Sequence, residues 1–233
     1  PKNNNTKKQF NFYEAMARNS DCLVVKTDFA SDLIRKNIGL DAKVISDCLR
    51  FKSKQPINKI NSPLNICWFG MHTNHDTLEF GLKEILDKSI KCKIKIITNK
   101  LEELSKRLNY IKVKEVTIEF VKWTKKMDDE VIKTDIVIIP YINDHKRLVK
   151  SYNRIIDSIN LGRFTIVSNV SIAKKFEKFC YLGNIGNGLI WAQKNEKKVI
   201  LKVNNGMKFI KNNYSIEFIA KKWSDLINIV IQS

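Results

Sequence analysis

The sequence predicts an α/β protein, a doubly wound parallel sheet with helices on both faces, preceded by part of a second α/β unit. Three observations lead there. Apolar runs such as Ile136-Val137-Ile138-Ile139 lack polar alternation, as strands buried on both faces require. Between such runs lie helical patterns, for example Leu78, Leu82, Ile85 and Leu86. From about residue 64 onward the two signals alternate at the spacing of strand–helix–strand crossovers.

Taken in order, residues 1–8 are polar and read as a frayed leader, and 10–18 as a short helix. Cys22 to Val25 is a strand, Thr27 or Asp28 caps a helix that ends at Gly39, and Ala42 to Ile45 is a second short strand. This unit is too small to hold a sheet alone. The polar stretch KSKQPINKINSP follows, carrying Pro56 and Pro63, and marks a boundary between residues 1–62 and 63–233. Strands are then expected at 64–69, 93–98, 116–121, 136–139 and 164–167, with helices at 76–88, 101–108 and 128–133. One long helical pattern after Pro140 uses Leu148, Tyr152, Ile155 and Ile159, and Gly162 stops it. Beyond Val167 the pattern gives a helix over 171–179, then CYLGNIGNGLIWAQ, read as a turn-rich loop. Its glycines are spaced GxxGxG and do not make a dinucleotide fingerprint. A helix over 190–209 and a last helix opened by Ser215, with Phe218, Ile219, Trp223 and Leu226 turned inward, complete the chain.

Composition narrows the class. The chain has 233 residues, 43% hydrophobic and 28% charged, and no apolar run approaches a membrane span of about 20 residues. No leader with an apolar core segment is visible, and the opening on Pro1 suggests a longer parent protein. The five cysteines are scattered without a CxxC pair, which favours small buried hydrophobes in a reducing compartment over zinc or disulfides. The net charge of +18 fits nucleic acid, an anionic membrane surface or an anionic small substrate. Because the cations are mostly lysines spread over the whole chain, charge by itself selects none of these.

A sharper signal sits after Ile139. His145, Lys146, Arg147, Lys150 and Arg154 crowd the start of a helix, where cations meet the positive end of the helix dipole at a cost of roughly 0.3–1 kcal/mol each. An anion between them reverses the sign, and phosphate at a helix N-terminus is a common arrangement. Lys150, Asn153, Arg154 and Asp157 share the face opposite the apolar stripe. Two readings follow. One is a solvated polar face with Asp157 as an ion-pair partner of Arg154. In the other, Lys150 and Arg154 hold a diphosphate and Asp157 accepts from a ribose diol.

The segment KSYNRIIDSINLGRFTIVSN resembles the donor site of GT-B glycosyltransferases. In that pattern a Lys-Ser or similar pair opens a helix, and an acid stands five positions before a glycine that precedes a strand. Lys150, Ser151, Asp157 and Gly162 match it. The acid is one methylene shorter than the usual glutamate, and Val149 stands where many retaining members carry a second one. The resemblance runs from about Asp21 to Trp223 in pattern and order. It implies a Rossmann-like C-terminal domain that binds the nucleotide diphosphate of a sugar donor, with residues 1–62 as the tail of an acceptor-binding domain.

Ligands of such sheets bind at the carboxyl ends of the strands, so the loops after Phe69, Thr98, Val121 and Ile139 should meet. The first, GMHTNHDT, offers Gly70, His72 and Asn74, in a position that resembles the glycine loop facing the donor phosphates. It also reads as a helix cap, by Asn74 or by Asp76 with Glu79. Lys100 reaches the pyrophosphate or lies on the surface. Trp123 stacks on a nucleobase or sits in the core. Pro140 and Tyr141 follow the central strand.

The expectation is therefore a metal-independent glycosyltransferase with no cofactor, in which Lys150 and Arg154 carry the chemistry and a nucleotide sugar is the donor. A glycan or lipid-linked acceptor in surface-polysaccharide synthesis is expected. So is a cytoplasmic location, with peripheral contact to anionic membrane and no nucleic acid. The alternatives are a nucleotide-sugar epimerase of the same fold, a non-catalytic basic module that binds nucleic acid or membrane, and a pseudo-enzyme.

Overall fold

The computed structural model describes residues 4–109, 111, 114–142 and 144–232. A first helix, α1 (Asn4–Arg18), begins well before the expected residue 10. β1 (Leu23–Val25), α2 (Asp28–Ile38) and β2 (Ala42–Val44) form the predicted unit, with both strands paired in parallel. Thr27 caps α2 by accepting from the Ala30 N–H at 3.2 Å, and Gly39 ends it in the left-handed conformation at φ 73°.

The larger sheet begins with β3 (Leu64–Phe69), α3 (His75–Leu86), β4 (Cys92–Thr98), α4 (Leu101–Arg107) and β5 (Val116–Lys122). It continues with α5 (Met127–Val131), β6 (Ile136–Ile139), α6 (His145–Leu148), α7 (Asn153–Asn160), β7 (Phe164–Val167) and β8 (Tyr181–Leu182). All six strands are parallel, in the order β5-β4-β3-β6-β7-β8. The chain builds outward from β3 in one direction, returns, and builds outward from β6 in the other. The switch point between β3 and β6 is where such sheets open a crevice. Ile66 sits at the centre, paired with Ile94 on one side and Ile136 on the other.

The sheet divides the interior into two cores. On one face Leu78, Leu82 and Ile85 of α3 pack with Ile185 and Leu189, beneath Ile66 and Ile136. On the other, Met127 and Val131 of α5 and Ile155, Ile156 and Ile159 of α7 pack with Val137 and Ile139. Burying one such side chain is worth about 1.5–3 kcal/mol, so these two layers are the main source of cohesion. Cys67, Cys92 and Cys180 are buried among them, and all five cysteines are free thiols.

Four local expectations are corrected. The long helix after Pro140 is broken into α6 and α7 at Val149–Tyr152. The break lies where Asp47 engages Ser151 and Asn153, polar side chains that compete with the helix backbone. The glycine-rich stretch is a helix, α8 (Ile185–Lys194), capped by Asn184, which accepts from the Asn187 N–H at 2.9 Å. Its glycines serve packing: a Cβ on Gly186 would stand 2.2 Å from the Glu84 carbonyl of α3. Residues 171–176 form 3-10 turns. In the final pair, α9 (Glu196–Tyr214) and α10 (Ile216–Gln232), only Ile219 of α10 is buried, and Trp223 is 42% exposed. Among the described residues no helix is long and apolar enough to cross a membrane.

Residues 47–61 form a strap pinned along the sheet domain. Ser53 Oγ donates to Asn160 Oδ1 at 2.6 Å, Asn160 Nδ2 donates to the Phe51 carbonyl at 2.7 Å, and the Ile57 N–H donates to Gly162 O at 3.1 Å. Arg163 gathers the carbonyls of Ile132, Thr134 and Gln55, and Asn61 Nδ2 bonds both oxygens of Asp135 at 2.9 Å. The strap is polar because its partners are polar.

Candidate functional site

A cleft of about 240 Å³ opens at the switch point, above the ends of β3 and β6. Phe69, Gly70 and Met71 floor it from β3, and Tyr141 from β6. Apolar surface comes from Met127 and from Trp123, which is 41% exposed. One wall is cationic, with Arg50, Arg147, Lys150 and Arg154 facing inward beside Asn74, Ser151 and Asn153. The side chains of His145 and Lys146 lie outside the described residues.

The four cations differ in what already holds them. Arg147 is bound by Asp144 and by Asp76, so its charge is met within the protein. Arg50 Nε donates to Asp157 Oδ2 at 2.7 Å, with Nη2 on the same oxygen. Lys150 is exposed and forms no side-chain ion pair among the described residues. Arg154 lays its guanidinium over the Tyr141 ring, 5.4 Å from the centroid, and its buried Nη1 has no hydrogen-bond partner among the described residues. A buried donor without an acceptor is costly, by about 1–3 kcal/mol. Both uncompensated cations stand at the start of α7, whose first turn has no side-chain cap. The cleft thus presents two free positive charges and uncapped backbone N–H groups to whatever enters it, a chemistry that fits a phosphate.

Of the predicted residues, Gly70, Asn74, Trp123, Tyr141, Lys150, Ser151, Asn153 and Arg154 come together around the cleft. Ser151 and Asn153 are partly engaged, since both bond Asp47, Asn153 Nδ2 at 2.9 Å. Burial pushes the Asp47 carboxyl up, but hydrogen bonds from Lys26, Ser151 and Asn153 outweigh it and leave it below the usual range. Gly70 is required from beneath, because a Cβ there would meet the Trp68 ring at 2.8 Å.

Four predicted residues stand elsewhere. Lys100, at the start of α4, lies 3.8 Å from Glu103. His72 is held by Asn99, which accepts from its backbone N–H at 2.9 Å. Pro140 is buried, in the space that a side chain on Gly81 would need. Asp157, expected on a solvated face, is only 1% exposed. The strap covers that face of α7, and burial raises the Asp157 carboxyl despite the Arg50 guanidinium beside it. Arg50 itself was missed. It lies 107 positions before its partner, and nothing local in LRFKSK marks it as more than a surface arginine.

No family model matches the chain, and a search of curated proteins finds no match. Solved structures do match. A point mutant of S. aureus TarM, in complex with fondaparinux, α-GlcNAc-glycerol and UDP, superposes with a TM-score of 0.73 at 13% identity. That match covers 95% of this chain and 46% of TarM. WaaG, a glycosyltransferase involved in lipopolysaccharide biosynthesis, matches with a TM-score of 0.60 at 11% identity, over 86% of this chain and 61% of that one. A UDP-forming trehalose-phosphate synthase from Burkholderia xenovorans matches with a TM-score of 0.60 at 11% identity, over 92% of this chain and 62% of its own.

The fold is of the GT-B type. The chain spans about half to three-fifths of the length of these GT-B structures, and its six-stranded parallel sheet corresponds to a Rossmann-like half of that fold.

His75, buried at the start of α3, gives the fold a pH signature. It is 1% exposed, with Nε2 3.0 Å from Thr98 Oγ1, and burial, helped by Arg107, holds its pKa below the ordinary 6.5. The unfolded chain therefore binds this proton at a pH where the folded chain refuses it. Stability should fall as pH drops below about 6.5, by at most about 1.4 kcal/mol per unit. Melting at pH 7.5 and 5.5 should show a smaller acid-induced drop in His75→Asn than in the parent, and equal drops would refute the assignment.

Proposed function

We propose that this chain is the donor-binding half of a glycosyltransferase that moves a sugar from a nucleoside diphosphate sugar to a glycan or lipid-linked acceptor. The observation that carries this reading is the pair of cations without an ion-pair partner among the described residues, Lys150 and Arg154, lining a cleft at the sheet's switch point. The diphosphate would lie across them and over the start of α7, with Trp123 supplying a flat apolar wall for the nucleobase. As the sugar leaves, charge grows on the diphosphate, and preorganised cations and backbone N–H groups stabilise it without reorganising. In this reading the side chains meet the charge that a metal ion would otherwise meet. That TarM holds UDP, and that WaaG serves lipopolysaccharide synthesis, supports a nucleotide-sugar donor and a surface-polysaccharide role. Attachment to the inner face of a membrane through the net positive charge belongs to the same proposal.

Calorimetric titration with UDP, ADP, GDP and inorganic pyrophosphate tests it. At least one nucleoside diphosphate should bind with a Kd below about 1 mM, which corresponds to roughly 4 kcal/mol. If none binds, while duplex DNA binds with an affinity that falls steeply with salt, the chain is a basic binding module instead.

A further inference from the structure

Asp157 cannot serve a ligand directly. At 1% exposure it is committed to Arg50, whose Nε and Nη2 both hold Oδ2. A carboxylate so deeply placed persists only when paired. Arg50, by contrast, has a side chain 45% exposed and lines the cleft. A guanidinium has five N–H donors in a fixed plane. Two bonds to Asp157 fix that plane and leave Nη1 unbonded among the described residues. The pair therefore presents a rigid, charge-compensated donor to the cleft where a bare carboxylate would present an acceptor.

Its position says which part of a ligand it meets. The strap runs beside α7, with Asp47 at Asn153, Arg50 at Asp157 and Ser53 at Asn160. It then reaches across to α5, where Lys54 pairs with Asp128 at 3.2 Å. Arg50 is thus held one helical turn along α7 from Arg154, on the strap before it reaches the start of α5 at Lys54. Lys150 and Arg154 stand at the helix start, and Arg50, Met127 and Trp123 line the same cleft.

We propose that Arg50 is a nucleoside-recognising residue that donates hydrogen bonds to ribose or base oxygens, and that Asp157 is its positioning residue. This rests on the donor-site reading above and assigns a residue from outside the sheet domain to that site.

The test uses UDP and inorganic pyrophosphate as probes on the full chain. Arg50→Ala should weaken UDP about tenfold or more, the loss of one or two charge-assisted bonds. Pyrophosphate, held by Lys150 and Arg154, should stay within about twofold in the charge-neutral double variant Arg50→Met/Asp157→Asn. Because Arg50→Ala strands a buried carboxylate and can unfold the chain, Arg50→Met/Asp157→Asn is measured beside it, with folding checked by thermal melting. The double variant should lose UDP as much as Arg50→Ala does and no more, since Asp157 acts only through Arg50. Arg50→Lys, which keeps charge without the fork, should fall between.

Unchanged UDP affinity in the folded double variant overturns the proposal. A parallel loss of pyrophosphate in the double variant overturns it too, because Arg50 would then be one more diphosphate cation. A parent chain that binds neither probe removes the donor-site reading, and this assignment with it. Pyrophosphate binding that survives in the Arg50→Met/Asp157→Asn double variant but is lost in Lys150→Ala/Arg154→Ala separates the two claims.

Discussion

Replacing Lys150 and Arg154 together by alanine is expected to lower nucleoside diphosphate affinity by about a hundredfold or more while leaving the melting temperature nearly unchanged. Each charge-assisted hydrogen bond to a phosphate is worth about 1.5–3 kcal/mol, and 1.4 kcal/mol is a factor of ten. Stability should barely respond, because neither cation has a carboxylate partner to strand. Lys150 has no ion pair among the described residues, and truncating Arg154 removes a buried donor that is already unsatisfied. The cation–π contact with Tyr141 is the main loss, about 0.5–1 kcal/mol. Arg147→Ala is the informative contrast. It takes away the cation that Asp76 and Asp144 share at the cleft wall, so it too should weaken an anionic ligand, but by shifting the local charge balance toward negative. A double variant that binds the nucleotide as well as the parent would end the donor-site reading.

The second large effect is on folding. Gly162→Ala should destabilise the chain by about 3–5 kcal/mol, or roughly 8–15 °C in melting temperature for a protein of this length. Gly162 has φ 71°, a conformation that costs a side-chain residue about 1–2 kcal/mol. A Cβ there would also stand 2.6 Å from Pro56 Cα and 2.9 Å from the Gln55 carbonyl. Both are backbone atoms of the strap and cannot rotate away. Moving them breaks the Ile57–Gly162 hydrogen bond and the Arg163 bond to Gln55. Gly39→Ala is the control, since its φ is 73° but nothing lies within 4 Å. It should cost only the conformational part, and equal effects at the two sites would show that the strap contact contributes little.

How much of this was readable in the sequence depended on whether the signal was local. The central strands β6 and β7 announced themselves, because a strand buried on both faces is apolar almost throughout, and Ile136–Ile139 is as plain as such a signal becomes. The cations at the start of α7 were legible for an equally local reason, since charge of the wrong sign at a helix end asks for an anion. Contacts between distant segments were not legible. The glycines at 183–188 look like a turn until α3 is seen lying against Gly186. Residues 52–63 look like a solvated linker, because polar side chains that bond other buried polar groups have the composition of polar side chains facing water. Asp157 followed from that, as its partner Arg50 sits in the strap and no periodicity in α7 reports it. The inward face assigned to Trp223 failed because periodicity shows that a helix has an apolar stripe but not what covers it.

The two cores carry a practical corollary. The cleft takes Phe69, Met127 and Tyr141 from the layer that holds α5 and α7, and none of its lining from the layer that holds α8. The sheet stands between them as a partition. Substitutions that tighten Leu189, Val199 or Val203 should therefore raise thermal tolerance independently of ligand affinity, with effects that add to those of cleft variants. One half of the domain can be engineered for robustness while the other is left free for changes in selectivity.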